Sequence, residues 1–235
     1  LHPVNRRQRQ MCIRDSRIDA DVMLFQEVRA LPEQMPKDWK EPEGYDVIWH
    51  PAQRKGYSGV MSCSRVGMEE IGRGIDTELD ETRDPEGRVL HTKHNGMHCV
   101  NIYLPNGSSR DQRQAYKDQW IEDLMEWAEM FVGSEEPAIL CGDLNIAHTE
   151  DDIWDPKGNK RSSGFLEHER EWFTRLLDRG WHDLLRIHIG SQKGPYTWWS
   201  NFRRARERDR VGELIMSLRM TVSYTHLTLP TIDRV

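Results

Sequence analysis

An α/β fold built on a mixed sheet is predicted by three observations. The first is the run Ala138-Ile139-Leu140-Cys141-Gly142-Asp143-Leu144-Asn145, opened by Pro137. A short apolar stretch bounded by turn residues reads as a buried strand, here with polar side chains at its end. The second is the interleaving of such runs with amphipathic helical stretches. The third is Asn95-Gly96 between the stretches 88–94 and 97–104, the dipeptide that most favours a two-residue hairpin. A hairpin within an alternating strand–helix chain argues for a mixed sheet rather than a purely parallel one.

The elements follow in order. Residues 21–27 form an apolar strand that ends in Gln26-Glu27, and Pro32, Pro36 and Pro42 mark the loop beyond it. Strands are expected at 45–50 and 60–63, around the turn Lys55-Gly56-Tyr57-Ser58-Gly59. The charged stretch 67–85 reads as a surface excursion. After the hairpin, Pro105-Asn106-Gly107 is a turn. A long helix is expected over 109–132, because Tyr116, Trp120, Leu124, Trp127 and Phe131 step by four or three. A second helix is expected over 165–179, with Phe165, Trp172, Phe173, Leu176 and Leu177 inward. Residues 182–187 read as a short helix and 195–199 as a strand.

The chain has 235 residues, enough for one large domain or two small ones. A net charge of −6 argues against indiscriminate wrapping of nucleic acid but leaves room for a local basic groove. No apolar run approaches the roughly 18 residues that span a membrane. Cys12, Cys63, Cys99 and Cys141 form no CxxC pair, so free thiols in a reducing cytoplasm are expected.

Both ends read as foreign. Met11-Cys12-Ile13-Arg14-Asp15-Ser16 resembles translated adapter sequence of the kind found at the edges of assembled environmental reads. The stretch 222–231 resembles its counterpart. The expected organisation is a non-native or disordered segment 1–16, a partial domain 17–210, and a non-native or frame-shifted segment 211–235.

Asp143 and Asn145 point to the same side of a strand end. A carboxylate beside a carboxamide suits gripping a water, a phosphate oxygen or a hard metal ion, although both residues are also common in turns. Glu27 repeats the layout, an acid at the tip of a buried run. His148, His168 and His182 carry no such pattern and read as structural or solvated. No dinucleotide or P-loop glycine motif is present.

Four stretches in order carry a resemblance: Leu24-Phe25-Gln26-Glu27, then Val100-Asn101-Ile102-Tyr103-Leu104-Pro105-Asn106-Gly107, then Cys141-Gly142-Asp143-Leu144-Asn145. The last is Ser163-Gly164-Phe165-Leu166 with Glu169-Arg170-Glu171-Trp172 and Tyr196-Thr197-Trp198-Trp199. Together they resemble the exodeoxyribonuclease III family of abasic-site endonucleases, within the endonuclease/exonuclease/phosphatase superfamily. The resemblance implies a four-layered α/β sandwich, two mixed sheets face to face and flanked by helices, here incomplete at both ends. It implies a Mg²⁺- or Mn²⁺-dependent phosphodiesterase of DNA repair, acting on double-stranded DNA at abasic sites and 3′ ends. By the same resemblance Glu27 binds the metal, Asp143 orients or deprotonates the attacking water, and Asn145 holds a phosphate oxygen or the metal's water shell. Tyr103 contacts the scissile phosphate, Asn106 contacts DNA, and Trp198 lies near the abasic sugar. Lys160 and Arg161 read as backbone-phosphate contacts. A cytoplasmic monomer is expected.

The sequence departs from the family in two places. Its opening strand bears an Asn in a Trp-Asn-x-Asn-Gly pattern, and its end carries Ser-Asp-His; neither is found here. The expectation is a crippled activity in this chain. Two alternatives are a phosphatase of another superfamily branch and a catalytically dead DNA-binding module.

Overall fold

The computed structural model of the chain describes residues 20–75, 84–107, 111–194 and 196, and the backbone of 215–220. Its strands are β1 (Val22–Gln26), β2 (Asp46–His50), β3 (Val60–Ser64), β4 (Glu69–Arg73), β5 (Val89–His94), β6 (Met97–Tyr103), β7 (Ala138–Asp143), β8 (Trp181–Asp183) and β9 (Ile215–Met220). Its helices are α1 (Lys37–Lys40), α2 (Asp111–Ala128), α3 (Pro156–Asn159), α4 (Glu167–Asp178) and α5 (Leu184–Ile189).

Two sheets result. The smaller has the order β1-β3-β2 and is antiparallel, with Leu24 and Ile48 both opposite Ser62. The larger has the order β4-β5-β6-β7-β9-β8 and is mixed. Its parallel pair, β6 and β7, sets Tyr103 opposite Asp143, and α2 makes the crossover between them. At the β5–β6 hairpin, Asn95 and Gly96 take φ of 47° and 83°, the two positive values that such a turn demands.

One face of the large sheet packs against the small one. The fully buried Asn101 rivets them. Its Nδ2 donates to the Met61 carbonyl at 2.9 Å, the Phe25 carbonyl at 3.3 Å and Ser62 Oγ at 3.3 Å, while its Oδ1 accepts from Gln26 Nε2 at 2.7 Å. A buried amide is tolerable because its hydrogen-bonding groups are used. The opposite face carries α2 and α4. Val100, Ile102 and Leu140 of the sheet meet Ile121, Leu124, Trp172, Phe173 and Leu176 in one core. Burying each large side chain stabilises the fold by roughly 1.5–3 kcal/mol before entropy is counted.

The inward face of α2 differs from the periodicity reading. Trp120, Leu124 and Phe131 are buried, but Tyr116 is 40% exposed and its neighbour Lys117 is fully buried. The stretch 67–85 contains a strand, β4. It is an edge strand rich in charge, with Arg73 Nε on Glu70 Oε1 at 2.5 Å and a bulge between Glu70 and Gly72. Charged, bulged edges are how sheets avoid further pairing, and they erase the apolar alternation that marks a strand. Residues 181–183 are a strand before the expected helix, whose N-cap is Asp183, accepting from Arg186 N–H at 2.9 Å. Ile215–Met220, in the segment read as foreign, lies as β9 between β7 and β8. The strand expected at 195–199 falls outside the described residues except for Tyr196. Cys63, Cys99 and Cys141 form no disulfide with one another, and Cys12 is outside the described residues.

Candidate active site

Three strand ends and the turns after them converge on one edge of the sandwich. β1 stops at Gln26, whose amide is pinned to Asn101. The next residue, Glu27, adopts a left-handed backbone with φ 55°, uncommon for a residue with a Cβ. The turn is held by Val28 N–H on the Gly59 carbonyl at 3.1 Å and Arg29 N–H on the Ser58 carbonyl at 2.8 Å. Gly59 permits that approach: a Cβ there would stand 2.8 Å from Val28 Cγ2. Glu27 Oε1 accepts the Tyr103 hydroxyl at 3.0 Å and pairs with the Arg29 guanidinium.

Tyr103 ends β6 and Asp143 ends β7, side by side in register. Gly142 makes this possible, since a Cβ at that position would sit 1.9 Å from the Ile102 carbonyl oxygen. Asp143 Oδ1 accepts the Asn145 N–H at 3.0 Å. Asn145, also left-handed at φ 48°, donates through Nδ2 to the Leu104 carbonyl at 2.7 Å and accepts at Oδ1 from Asn106 Nδ2 at 3.4 Å. Its own carbonyl accepts from Lys117 Nζ at 2.9 Å.

Burial, and then the charge of Glu27, pushes the Tyr103 phenol well above its ordinary range, so it stands as a neutral donor. Burial likewise pushes the Asp143 carboxyl up to about 7, opposed by the Asn145 N–H and assisted by the Glu27 charge. A carboxylate so poised is basic enough to take a proton from water near neutral pH.

A cleft of about 270 Å³ opens beside these groups, lined by Glu27, Arg29, Tyr57, Ser58, Arg88, Tyr103, Asn106 and Arg113. Four groups around it escaped the sequence reading. Arg88, almost fully buried, donates from Nη1 to the Tyr103 carbonyl at 2.8 Å and lies 5.0 Å over the Tyr103 ring. Glu86 pairs with Arg88 Nε at 2.6 Å and Arg113 Nη2 at 2.9 Å, and both guanidiniums donate to the Tyr57 hydroxyl. Burial works against the Glu86 carboxylate, but the bonds from Arg113 and Arg88 hold its pKa below the ordinary value. A larger cavity of about 480 Å³, bounded partly by Arg54 and Gln53, adjoins the cleft and shares Tyr57 and Arg113 with it.

Of the residues singled out in the sequence, Glu27, Tyr103 and Asn106 line the cleft. Asp143 and Asn145 adjoin them through backbone register and the Asn106 contact. Lys160 and Arg161 are exposed on the turn after α3 and do not line it. Their turn is tied to the site two residues on, where Ser163 Oγ accepts the Gly107 N–H at 3.2 Å. Trp198 lies outside the described residues. Among the described residues no cluster of three or more His, Cys, Asp or Glu side chains could hold a metal ion by itself. The chemistry of Mg²⁺ does not require one: it takes one or two carboxylates, keeps several waters and completes its shell on phosphate. Glu27, with its side chain 43% exposed at the cleft, fits that demand.

A profile of the Endonuclease/Exonuclease/phosphatase family matches residues 9–214. The chain is 37% identical over 191 residues to an exodeoxyribonuclease of Bacillus subtilis, covering 81% of this chain and 73% of that one. It is 36% identical over 184 residues to a DNA-(apurinic or apyrimidinic site) endonuclease of Dictyostelium discoideum, covering 77% of this chain but 49% of the relative. Among solved structures, an aspartate-to-asparagine variant of the 3′ phosphatase NExo from Neisseria, bound to product DNA hairpin, superposes with a TM-score of 0.80 at 26% identity. That superposition covers 92% of this chain and 82% of that one.

Proposed function

The chain belongs to the Endonuclease/Exonuclease/phosphatase family, and from that premise we propose that it hydrolyses phosphodiester bonds in double-stranded DNA, at abasic sites and at 3′ ends. The observation that carries the reading is the adjacency of Glu27, Tyr103 and Asp143. One hydrogen bond and one parallel register bring a solvent-exposed carboxylate, a neutral phenol and a raised-pKa carboxylate to the same edge.

Each residue then has a task. The Tyr103 hydroxyl donates to a nonbridging oxygen of the scissile phosphate, and the Asn106 and Asn145 amides orient the same group. Asp143 takes the proton of the attacking water. Arg88 and Arg113 keep the cleft positive in a chain of net charge −6. A divalent ion at Glu27, Mg²⁺ or Mn²⁺, would neutralise phosphate charge. Lys160, Arg161 and Trp198 extend the contact along the duplex, with the basic pair on backbone phosphates and the indole near the abasic sugar. The sequence carries no Ser-Asp-His, and among the described residues no histidine lines the cleft. The same reading takes the protein as a cytoplasmic monomer of base excision repair; among the described residues no helix is long and apolar enough to cross a membrane.

A substrate panel tests this. Abasic duplex, recessed 3′ ends and a phosphoinositide are offered with Mg²⁺ and with EDTA. Metal-dependent nicking of the abasic duplex is expected. Phosphoinositide hydrolysis alone, or salt-sensitive DNA binding with no cleavage, would refute it.

A further inference from the structure

We propose that the buried Lys117–Glu169 ion pair is a positioning device for the catalytic edge, setting the backbone of Asn145 and thereby the side chains of Asp143 and Asn145. The inference rests on the phosphodiesterase reading for its consequence, but its geometry stands apart from that reading.

Both side chains are fully excluded from solvent, and Lys117 Nζ meets Glu169 Oε1 at 2.6 Å. Lys117 comes from the middle of α2 and Glu169 from the first turn of α4. Gln114 Nε2, from the same helix as Lys117, also donates to Glu169 Oε1 at 3.1 Å, and the other three bonds of the pair point toward the site. Lys117 Nζ donates to the Asn145 carbonyl at 2.9 Å. Glu169 Oε2 accepts the Gly164 N–H at 2.7 Å and the Leu166 N–H at 3.0 Å. The Gly164 carbonyl in turn accepts the Ala147 N–H at 2.8 Å, and Ser163 Oγ accepts the Gly107 N–H at 3.2 Å. The segments after β6 and β7 and the turn that carries Lys160 and Arg161 are thus fastened to one buried pair.

As a stability device this arrangement is poor. Removing two charges from water is costly, and well-packed apolar residues of similar volume often serve as well or better. An apolar pair would fill the volume but could not hold a carbonyl. Such a hold suits Asn145, whose left-handed backbone is one that asparagine tolerates better than other residues with a Cβ but that its neighbours must still select. Lys117 fixes its carbonyl, Asp143 its N–H, and Leu104 and Asn106 its side chain. The bond from Asn145 N–H to Asp143 Oδ1 transmits the hold to the proposed base. Neither Lys117 nor Glu169 lines the cleft, so both are positioning residues and not catalytic ones.

The test is the double variant Lys117→Met with Glu169→Gln, which removes both charges together so that neither is left buried alone. It is read by hydrogen exchange across residues 141–147, by kcat on an abasic duplex, and by the Kd for that duplex. At a melting temperature close to the parent's, exchange in that stretch is expected to quicken about tenfold or more. The expected fall in kcat is about 10–100-fold with Kd unchanged, as misplacement of reacting groups produces. Lys117→Arg, which keeps the charge and donors, is expected to retain most of the rate. Unchanged exchange and kcat in the folded double variant would overturn the proposal. So would a loss that merely tracks the folded fraction.

A second measurement needs no variant. The Asn145 amide of the intact chain is expected to be protected to within about tenfold of the β7 core amides. Low protection there refutes the hold even if the double variant fails to fold. Exchange reads the backbone and not turnover. A parent chain that cuts no DNA would sink the proposed function, while the positioning claim stands or falls on exchange.

Discussion

Replacing Asn101 by Leu probes how the two halves of the site are brought together. The substitution keeps the approximate volume and removes the amide that docks the small sheet on the large one. Two of its bonds are short, to the Met61 carbonyl at 2.9 Å and from Gln26 Nε2 at 2.7 Å; the two at 3.3 Å are weaker. At about 1 kcal/mol for each short bond and about half that for each long one, the loss is roughly 3 kcal/mol. Gln26 Nε2 keeps its contact with the Leu24 carbonyl at 3.2 Å, and the added apolar carbon recovers part of the loss, so about 2–3 kcal/mol is expected. For a chain of this length that lowers the melting temperature by roughly 5–10 °C. Thermal unfolding followed by circular dichroism measures it directly. Because Asn101 also sets Gln26, and hence Glu27, against Tyr103, the folded variant should lose about tenfold or more in kcat/KM. A melting temperature within about 2 °C of the parent would refute the view that this amide docks the sheets.

Other perturbations probe separate groups. Tyr103→Phe removes the donor to Glu27 at 3.0 Å and to phosphate, and should lower kcat about 10²-fold with little change in melting temperature. Asp143 ionises in the folded chain only near 7, against 3.8 for an ordinary Asp, so its burial costs stability that grows as pH rises through that window. Asp143→Asn should therefore raise the melting temperature at about pH 8 more than at about pH 5 while abolishing turnover. His91 behaves in the opposite sense. Burial, aided by His98 beside it, lowers its pKa to about 4 from 6.5, so the unfolded chain takes the proton first. Its contribution is whole above 6.5 and is lost as pH falls toward 4, by at most roughly 3 kcal/mol. His91→Gln should flatten that part of the stability–pH curve measured by denaturant titration.

The legible part of this site shares one trait. Glu27, Tyr103, Asp143 and Asn145 each sit at or just beyond the end of an apolar strand, where a polar residue interrupts the pattern. The hairpin was legible for a local reason, since few dipeptides accept two positive φ values. What sequence could not offer was assembly. Tyr57, Glu86, Arg88 and Arg113 come from separate segments, with Arg113 reaching a tyrosine 56 positions away, and no local pattern links them. Periodicity also misjudged the buried face of α2. Tyr116 fits an apolar stripe by hydropathy, yet its ring lies exposed with the Arg113 guanidinium 4.7 Å above it. Lys117 points inward because Glu169 awaits it on another helix. A lysine is read as a surface residue unless its partner is already known, and the partner is 52 positions away. The edge strand β4 was hidden for the related reason that edges are made polar by design against pairing.

In the proposed mechanism Glu27 and Asp143 form a metal-assisted phosphodiesterase centre. Single-turnover cleavage of an abasic duplex by the intact protein tests it most directly, with Mg²⁺ or EDTA and with Glu27→Gln and Asp143→Asn alongside. Incision is expected to need the metal and to fall by about 10²-fold or more in either variant. Cleavage at the parent rate by either variant, or none by the parent under any metal condition, would contradict it.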